Sequence, residues 1–205
     1  MRSADVLKSK QKESKTMKKI IIASNNAGKI AEFKAILAPL KIEVLSQSEA
    51  GVELVAEETG DTFEENARLK AAAVMEEIGM LGSGAAIIAD DSGLCVDALG
   101  GNPGVQSANY DNEWLLEQLK GVPEGKRGAK FVCVLCIIDD KGAAFIREQC
   151  EGAITLAPKG DSGFGYDPVF LPKGDKKTFA EMKPSKKNAI SHRGLALAKL
   201  TEGLV

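Results

Sequence analysis

Apolar residues recur in two alternating rhythms over the first half of this chain. Ile20, Ile21 and Ile22 form a short β-branched run of the kind that builds a buried strand. Loop-forming residues from Ser24 to Gly28 follow. Ile30, Phe33, Leu37 and Leu40 then recur at i, i+3, i+7 and i+10, one face of a helix that Pro39 brings to an end. Residues 42–45 predict a second strand. Thr62-Phe63-Glu64-Glu65 reads as a capping box opening a second helix, whose apolar face is Ala67, Ala71, Val74, Met75 and Ile78 and whose stop is Gly79 with Gly82. Residues 85–89 predict a third strand, expected to end in a turn at Asp90-Asp91-Ser92-Gly93.

The second half changes character. Trp114, Leu115 and Leu119 suggest a short helix after the turn cluster at residues 100–104. Residues 131–138 are apolar throughout and predict a long buried strand, and Asp139-Asp140-Lys141-Gly142 a hairpin turn. Residues 144–149 and 153–156 read as two further strands, residues 163–170 as a rigid Gly/aromatic/Pro segment, and residues 188–200 as one last helix. Early strand–helix alternation followed by hairpins predicts an α/β layered fold with a mixed sheet. Residues 1–16 are polar and lack periodicity, so they are expected to form a tail outside one domain at 17–205.

Composition narrows the function classes. At 205 residues, 44 % apolar and 27 % charged, the chain can bury a sizeable core. Its longest apolar stretch, residues 131–138, is far short of the ~20 residues that a membrane helix needs. Four cysteines are too sparse for a disulfide scaffold, which favours a reducing, cytoplasmic setting. Of the net charge of −2, residues 1–16 carry +3 and the remainder −5. A mildly acidic body argues against a nucleic-acid partner.

Several short segments carry candidate chemistry. Ser24, Asn25, Asn26, Ala27, Gly28 and Lys29 lie between a strand and a helix, where backbone N–H groups and a lysine suit phosphate, although the spacing is not a Walker A loop. Asp90 and Asp91 offer paired carboxylates for Mg2+, and Glu57 or Glu58 could join them. Phe164, Gly165, Tyr166 and Asp167 combine close backbone approach with aromatic faces for a planar base. Lys187, Ser191, His192 and Arg193 concentrate donors near a helix start. Cys133 and Cys136, three apart on a strand, point to opposite faces, against a zinc or redox pair. Each segment also has a structural explanation as a connector, turn or solvated loop.

Taken together and in this order, the segments at 24–29, 57–60, 62–67, 89–94, 163–168 and 191–193 closely resemble the inosine triphosphate pyrophosphatase family, also called XTP/dITP diphosphatases. The resemblance runs from about residue 18 to 200. It implies a layered α/β fold with a long mixed sheet, two lobes and a central nucleotide-binding cleft, and a homodimer. It implies Mg2+-assisted hydrolysis of dITP, ITP and XTP to the monophosphate and pyrophosphate, which clears deaminated purines from the nucleotide pool. By matching position it makes Asp91 the general base and a metal ligand, Ser92 a substrate contact, and Glu57 the other metal ligand, with Glu58 and Asp90 as alternatives. Residues 24–29 would hold the triphosphate, residues 164–167 would enclose the base, and Lys187, His192 and Arg193 would complete the nucleotide site. Donors from the backbone or from His192 and Arg193 are expected to read the purine O6. The chain departs from the resemblance at Asn109, where many members carry Arg, and in a short segment at 111–113. Two other readings fit parts of the pattern: a Maf-like pyrophosphatase acting on pyrimidine nucleotides, and a nucleotide-binding protein without catalysis.

Overall fold

Six strands form one mixed sheet in the computed structural model, which describes residues 17–79, 82 and 84–203. The expected tail at 1–16 lies outside the described residues. In chain order the elements are β1 (Lys19–Ile22), α1 (Ala27–Leu37), β2 (Glu43–Ser46), α2 (Phe63–Ile78), β3 (Ala85–Val96), α3 (Asn112–Gln118), β4 (Gly128–Asp139), β5 (Gly142–Ile154), β6 (Phe170–Pro172), α4 (Pro184–Ile190) and α5 (His192–Glu202). The strand order is β2-β1-β3-β4-β5-β6. β1 pairs in parallel with β2 and β3, and the remaining pairs are antiparallel. Among the described residues no helix is long and apolar enough to cross a membrane.

Period-two alternation sorts β3 and β4 onto two faces. On one, Ile20, Ile22, Ile88, Cys133 and Leu135 pack against Phe33 and Leu37 of α1 and Ala196 and Leu197 of α5. On the other, Ile21, Ile87, Ala89, Val132, Val134 and Cys136 pack against Phe63, Ala67, Ala71 and Val74 of α2. Cys133 and Cys136 thus lie in different layers, as their spacing requires. The far ends of β3 and β4 feed a third cluster, in which Phe131, Phe170 and Phe179 meet Leu115 and Leu119 beside α3.

Three expectations from the sequence are corrected. The third strand does not turn at Asp90-Asp91-Ser92-Gly93. It runs on to Val96, because Asp90 to Val96 pair across from Leu135 to Ala129 of β4, so the two aspartates sit mid-strand. The two strands expected at 144–149 and 153–156 are one, β5, whose Gly152 lets β6 come close: a Cβ there would stand 2.4 Å from the Leu171 carbonyl oxygen. The last helix is broken at Ser191, which ends α4 in extended backbone and caps α5 by accepting the Gly194 N–H at 3.1 Å. Gly194 is obligatory at this junction, since a Cβ would overlap the Asn188 carbonyl oxygen at 1.7 Å.

Candidate active site

A cleft of about 360 Å3 opens over the middle of β3, within the usual range for a small-molecule site. The strand's alternation presents Asp90 and Ser92 to the α1/α5 side and Asp91 to the α2 side, and all three line the cleft. It also gathers Ser24, Asn25, Asn26 and Lys29 from the β1–α1 connection, Phe164 to Asp167, and Lys187, His192 and Arg193. Residues more than a hundred positions apart therefore meet in one place.

The β1–α1 connection is cross-linked by side-chain hydrogen bonds. Asn26 caps α1 by accepting the Lys29 N–H at 3.0 Å, Ser24 Oγ accepts the Asn26 N–H, and Asn25 Nδ2 donates to the Leu54 carbonyl. Ala27 and Gly28 are not part of the cleft wall. Gly28 matters by being small: a Cβ would stand 2.6 Å from Phe164 Cδ1, so the aromatic ring lies directly on the glycine.

Asp90 is the electrostatic anchor. Its carboxylate accepts from Lys29 Nζ (2.5 Å), Arg193 Nε (2.9 Å), Ser92 Oγ (2.8 Å) and the Cys133 thiol (3.1 Å). Burial alone would favour the neutral acid, but the Arg193 and Lys29 charges outweigh it and hold Asp90 well below the usual carboxylate range. Cys133, buried beside that charge, is pushed well above a normal thiol. The charges continue outward as an alternating chain. Arg193 Nη1 pairs with Glu32 at 2.5 Å, Glu32 with Lys187 at 2.8 Å, and Lys187 with Asp167 at 2.5 Å. Asp167 also accepts the Phe164 N–H, which fixes the turn under the ring. Lys187 Nζ lies 4.7 Å from the centre of that ring.

Asp91 is different. Lys70 Nζ pairs with its Oδ1 at 2.5 Å and the Glu58 carboxylate interacts with it as well, while Oδ2 is buried without a hydrogen-bond partner among the described residues. Burial raises its carboxyl to about 6, only partly offset by Lys70 and Lys29. Lys70 is shared with Glu58 at 3.2 Å, and these two carboxylates hold its ammonium above the ordinary lysine value despite burial. Of the two acidic candidates in the 57–60 segment, Glu58 faces the cleft and Glu57 is exposed outside it. Among the described residues no group of three or more His, Cys, Asp or Glu side chains is arranged to hold a metal ion.

His192 and Tyr166 are held tightly. The imidazole stacks on Phe131 with ring centres 4.6 Å apart and planes within 9°. Burial and the neighbouring Arg193 keep it neutral, well below the usual histidine value, and its Nδ1 is buried without a partner. The Tyr166 hydroxyl lies 3.0 Å from the Ser107 carbonyl oxygen and 2.9 Å from that of Tyr110, tying the 164–167 turn to the 104–109 helical turn. Asn109, the departure from the resemblance, donates to Gln106 at 2.5 Å at the end of that same turn.

Two charged residues of the site's ion-pair network escaped sequence reasoning, as did lining residues such as Gln47, Ser107 and Phe131. Lys70 lies beside the Ala67/Ala71/Val74 face of α2, and Glu32 falls three residues after Lys29 on α1. Both positions were legible as polar residues bordering an apolar face, but nothing local says that their partners are buried charges.

Comparison with known proteins fits this geometry. Residues 20–203 match the Ham1 family. The chain is 47 % identical over 199 residues to the dITP/XTP pyrophosphatase of Clostridium perfringens, covering 92 % of this chain and 98 % of the relative. It is 44 % identical over 196 residues to that of Bacillus subtilis, covering 91 % and 96 %. Among solved structures, a HAM1 protein from Coxiella burnetii superposes with a TM-score of 0.79 at 38 % identity, covering 92 % of this chain and 98 % of that one. The Staphylococcus aureus Ham1 protein gives 0.77 at 39 %, covering 91 % and 98 %. A match that takes in every strand of the sheet and every residue of the cleft, at such identity, places this chain in the Ham1 family.

Proposed function

We propose that the chain hydrolyses non-standard purine nucleoside triphosphates, dITP, ITP and XTP, to the monophosphate and pyrophosphate, as a cytoplasmic homodimer. The observation that carries the reading is the half-satisfied Asp91 carboxylate in a cleft whose Lys29, Lys70, Lys187 and Arg193 are each paired with a carboxylate. A carboxyl raised to about 6 is suited to orienting a water and accepting its proton near neutral pH. Lys29, Lys70 and Lys187 border the space for the phosphates, where positive charge offsets the anion as it reacts. The names of the relatives at 44–47 % identity agree with this reading. Attack at the α-phosphorus follows from the family resemblance.

A divalent ion fits the residues present. The Asp91 Oδ2 is a hard oxygen buried without a partner, and Lys70 lies between the Asp91 and Glu58 carboxylates. Asp91 and Glu58 would hold Mg2+, with remaining positions left to water and phosphate oxygens. Glu58 takes this place in preference to Glu57 because it faces the cleft. The ion supplies Lewis-acid polarisation of the phosphoryl oxygens. Asp90, with both oxygens engaged, acts as the anchor for Lys29 and Arg193.

Base choice follows from unpaired atoms. The Arg193 guanidinium is tied to Asp90, Glu32 and Ser92, whereas neutral His192 lines the cleft and has no side-chain hydrogen bond to its buried Nδ1. Reading of O6 therefore falls first on His192, with Phe164 offering a face to the ring. Adenine presents an amino group there, and a buried donor left unmatched costs about 1–3 kcal/mol. The deciding experiment is pyrophosphate release with Mg2+ from ITP, XTP, GTP, ATP, dTTP and UTP, with Asp91→Ala beside the wild type. Release from ITP and XTP, reduced about 1,000-fold in the variant, is expected. Preference for dTTP or UTP would move the assignment to a Maf-like activity, and binding without turnover to a nucleotide-binding protein.

A further inference from the structure

Lys70 stands where two carboxylates converge. Its Nζ lies 2.5 Å from Asp91 Oδ1 and 3.2 Å from Glu58 Oε2, and only 13 % of its side chain is exposed. These are the same two groups whose oxygens suit a divalent cation, and the second oxygen of Asp91 is buried beside them without a partner. An ammonium and a divalent ion cannot occupy one gap between two carboxylates, because like charges at contact distance repel strongly in a partly buried site.

We propose that Lys70 is a placeholder cation. It holds the gap between Asp91 and Glu58 until a divalent ion enters with the triphosphate, and it then transfers its contact to a phosphate oxygen. This rests on the reading of the cleft as a triphosphate hydrolase site, and it makes metal and nucleotide binding interdependent.

Three features of the side chain support the exchange. A lysine carries a compact charge on a flexible four-carbon stem, so its head can swing while its backbone stays fixed in α2. Two close carboxylates without a neighbouring cation would repel a polyanionic substrate, and the ammonium removes that repulsion. Arriving phosphates supply the ammonium with a new partner at the moment the metal needs both carboxylates. The coupling is reciprocal: bound nucleotide raises the metal's affinity by the same factor as bound metal raises the nucleotide's.

The test is Mn2+ binding to the full chain, followed by electron paramagnetic resonance, with Lys70→Met and Lys70→Gln beside the wild type. With Mn2+ alone, both variants should bind about tenfold more tightly than the wild type, since a competing charge has gone. With the Mn2+–tripolyphosphate complex, the gain in affinity over Mn2+ alone should be larger in the wild type than in either variant. Variants that bind Mn2+ no more tightly, or gains that are equal, overturn the proposal. Should neither variant fold, the 13Cε signal of Lys70 in the wild type must move on addition of Mg2+ with tripolyphosphate, and an unmoved signal overturns it. None of these readouts needs turnover. A wild type inactive on the nucleotide panel would sink the hydrolase reading, whereas a failed Mn2+ comparison beside normal turnover would sink the placeholder alone.

Discussion

Asp90 and Asp91 are neighbours on one strand, carry the same group, and are buried to nearly the same degree, at 1 % and 4 % exposed. Their environments push them in opposite directions. Asp90 faces α1 and α5, accepts from four side chains, and is held well below the ordinary carboxylate range by Arg193 and Lys29. Asp91 faces α2, meets one lysine, keeps a bare oxygen, and is raised to about 6 by burial. The difference teaches that burial sets the cost of a charge and donor count decides whether that cost is offset. The satisfied carboxylate ties four side chains together, and the unsatisfied one keeps an oxygen without a partner.

The largest expected effect comes from neutralising each in turn. Asp90→Asn should lower folding stability by about 3–5 kcal/mol, because it removes the charge that Arg193 and Lys29 share and leaves the buried guanidinium with Glu32 as its remaining carboxylate partner. Asp91→Asn should cost less than about 1 kcal/mol, since Lys70 keeps Glu58 and a strained charge is relieved. Chemical denaturation of both variants at neutral pH checks this, and equal losses would abolish the distinction.

The pH dependence sharpens it. Asp91 has a folded value above its unfolded one, so the folded state binds the extra proton and stability falls as pH rises from about 4 toward 6. Asp91→Asn should therefore gain on the wild type between pH 4.5 and 7.5 in parallel urea melts. Asp90 has the opposite sign: its folded value is depressed, so its contribution is present above the usual aspartate range and is lost as pH falls through the folded value.

Smaller effects test the supports on the Asp90 side. Gly28→Ala would drive a methyl group into the Phe164 ring, costing about 1–3 kcal/mol and raising KM more than it lowers kcat in steady-state assays. Cys133→Ala should be mildest, about 1–2 kcal/mol in thermal melts, with Cys133→Ser recovering part of the loss by restoring a donor to Asp90.

These pairs also show what the sequence could reveal. The capping box at Thr62, the α1 spacing and the opposed cysteines follow from local periodicity, and the structure has all three. Asp90-Asp91-Ser92-Gly93 misled for a physical reason: all four residue types favour turns, and only cross-strand pairing with β4 keeps them extended. The break at Ser191 was hidden because its cause, the closeness of Gly194 to Asn188, is a packing distance and not a propensity. Gathering the cleft residues was within reach of motif order. Lys70 and Glu32 were not, since each looks like an ordinary surface residue until its distant partner is known.

Arg193 lies near the C-terminal end of the fold, yet it pairs with Glu32, 161 positions earlier, and with Asp90, 103 positions earlier. During synthesis the sheet strands emerge first and α5 last. A chain released before α5 is made would carry Asp90 in its core without the guanidinium that compensates it. A product truncated between β6 and α5 therefore has the whole sheet yet lacks the side chain that ties Asp90 to Glu32, so the last helix closes the charge network that the first strands begin.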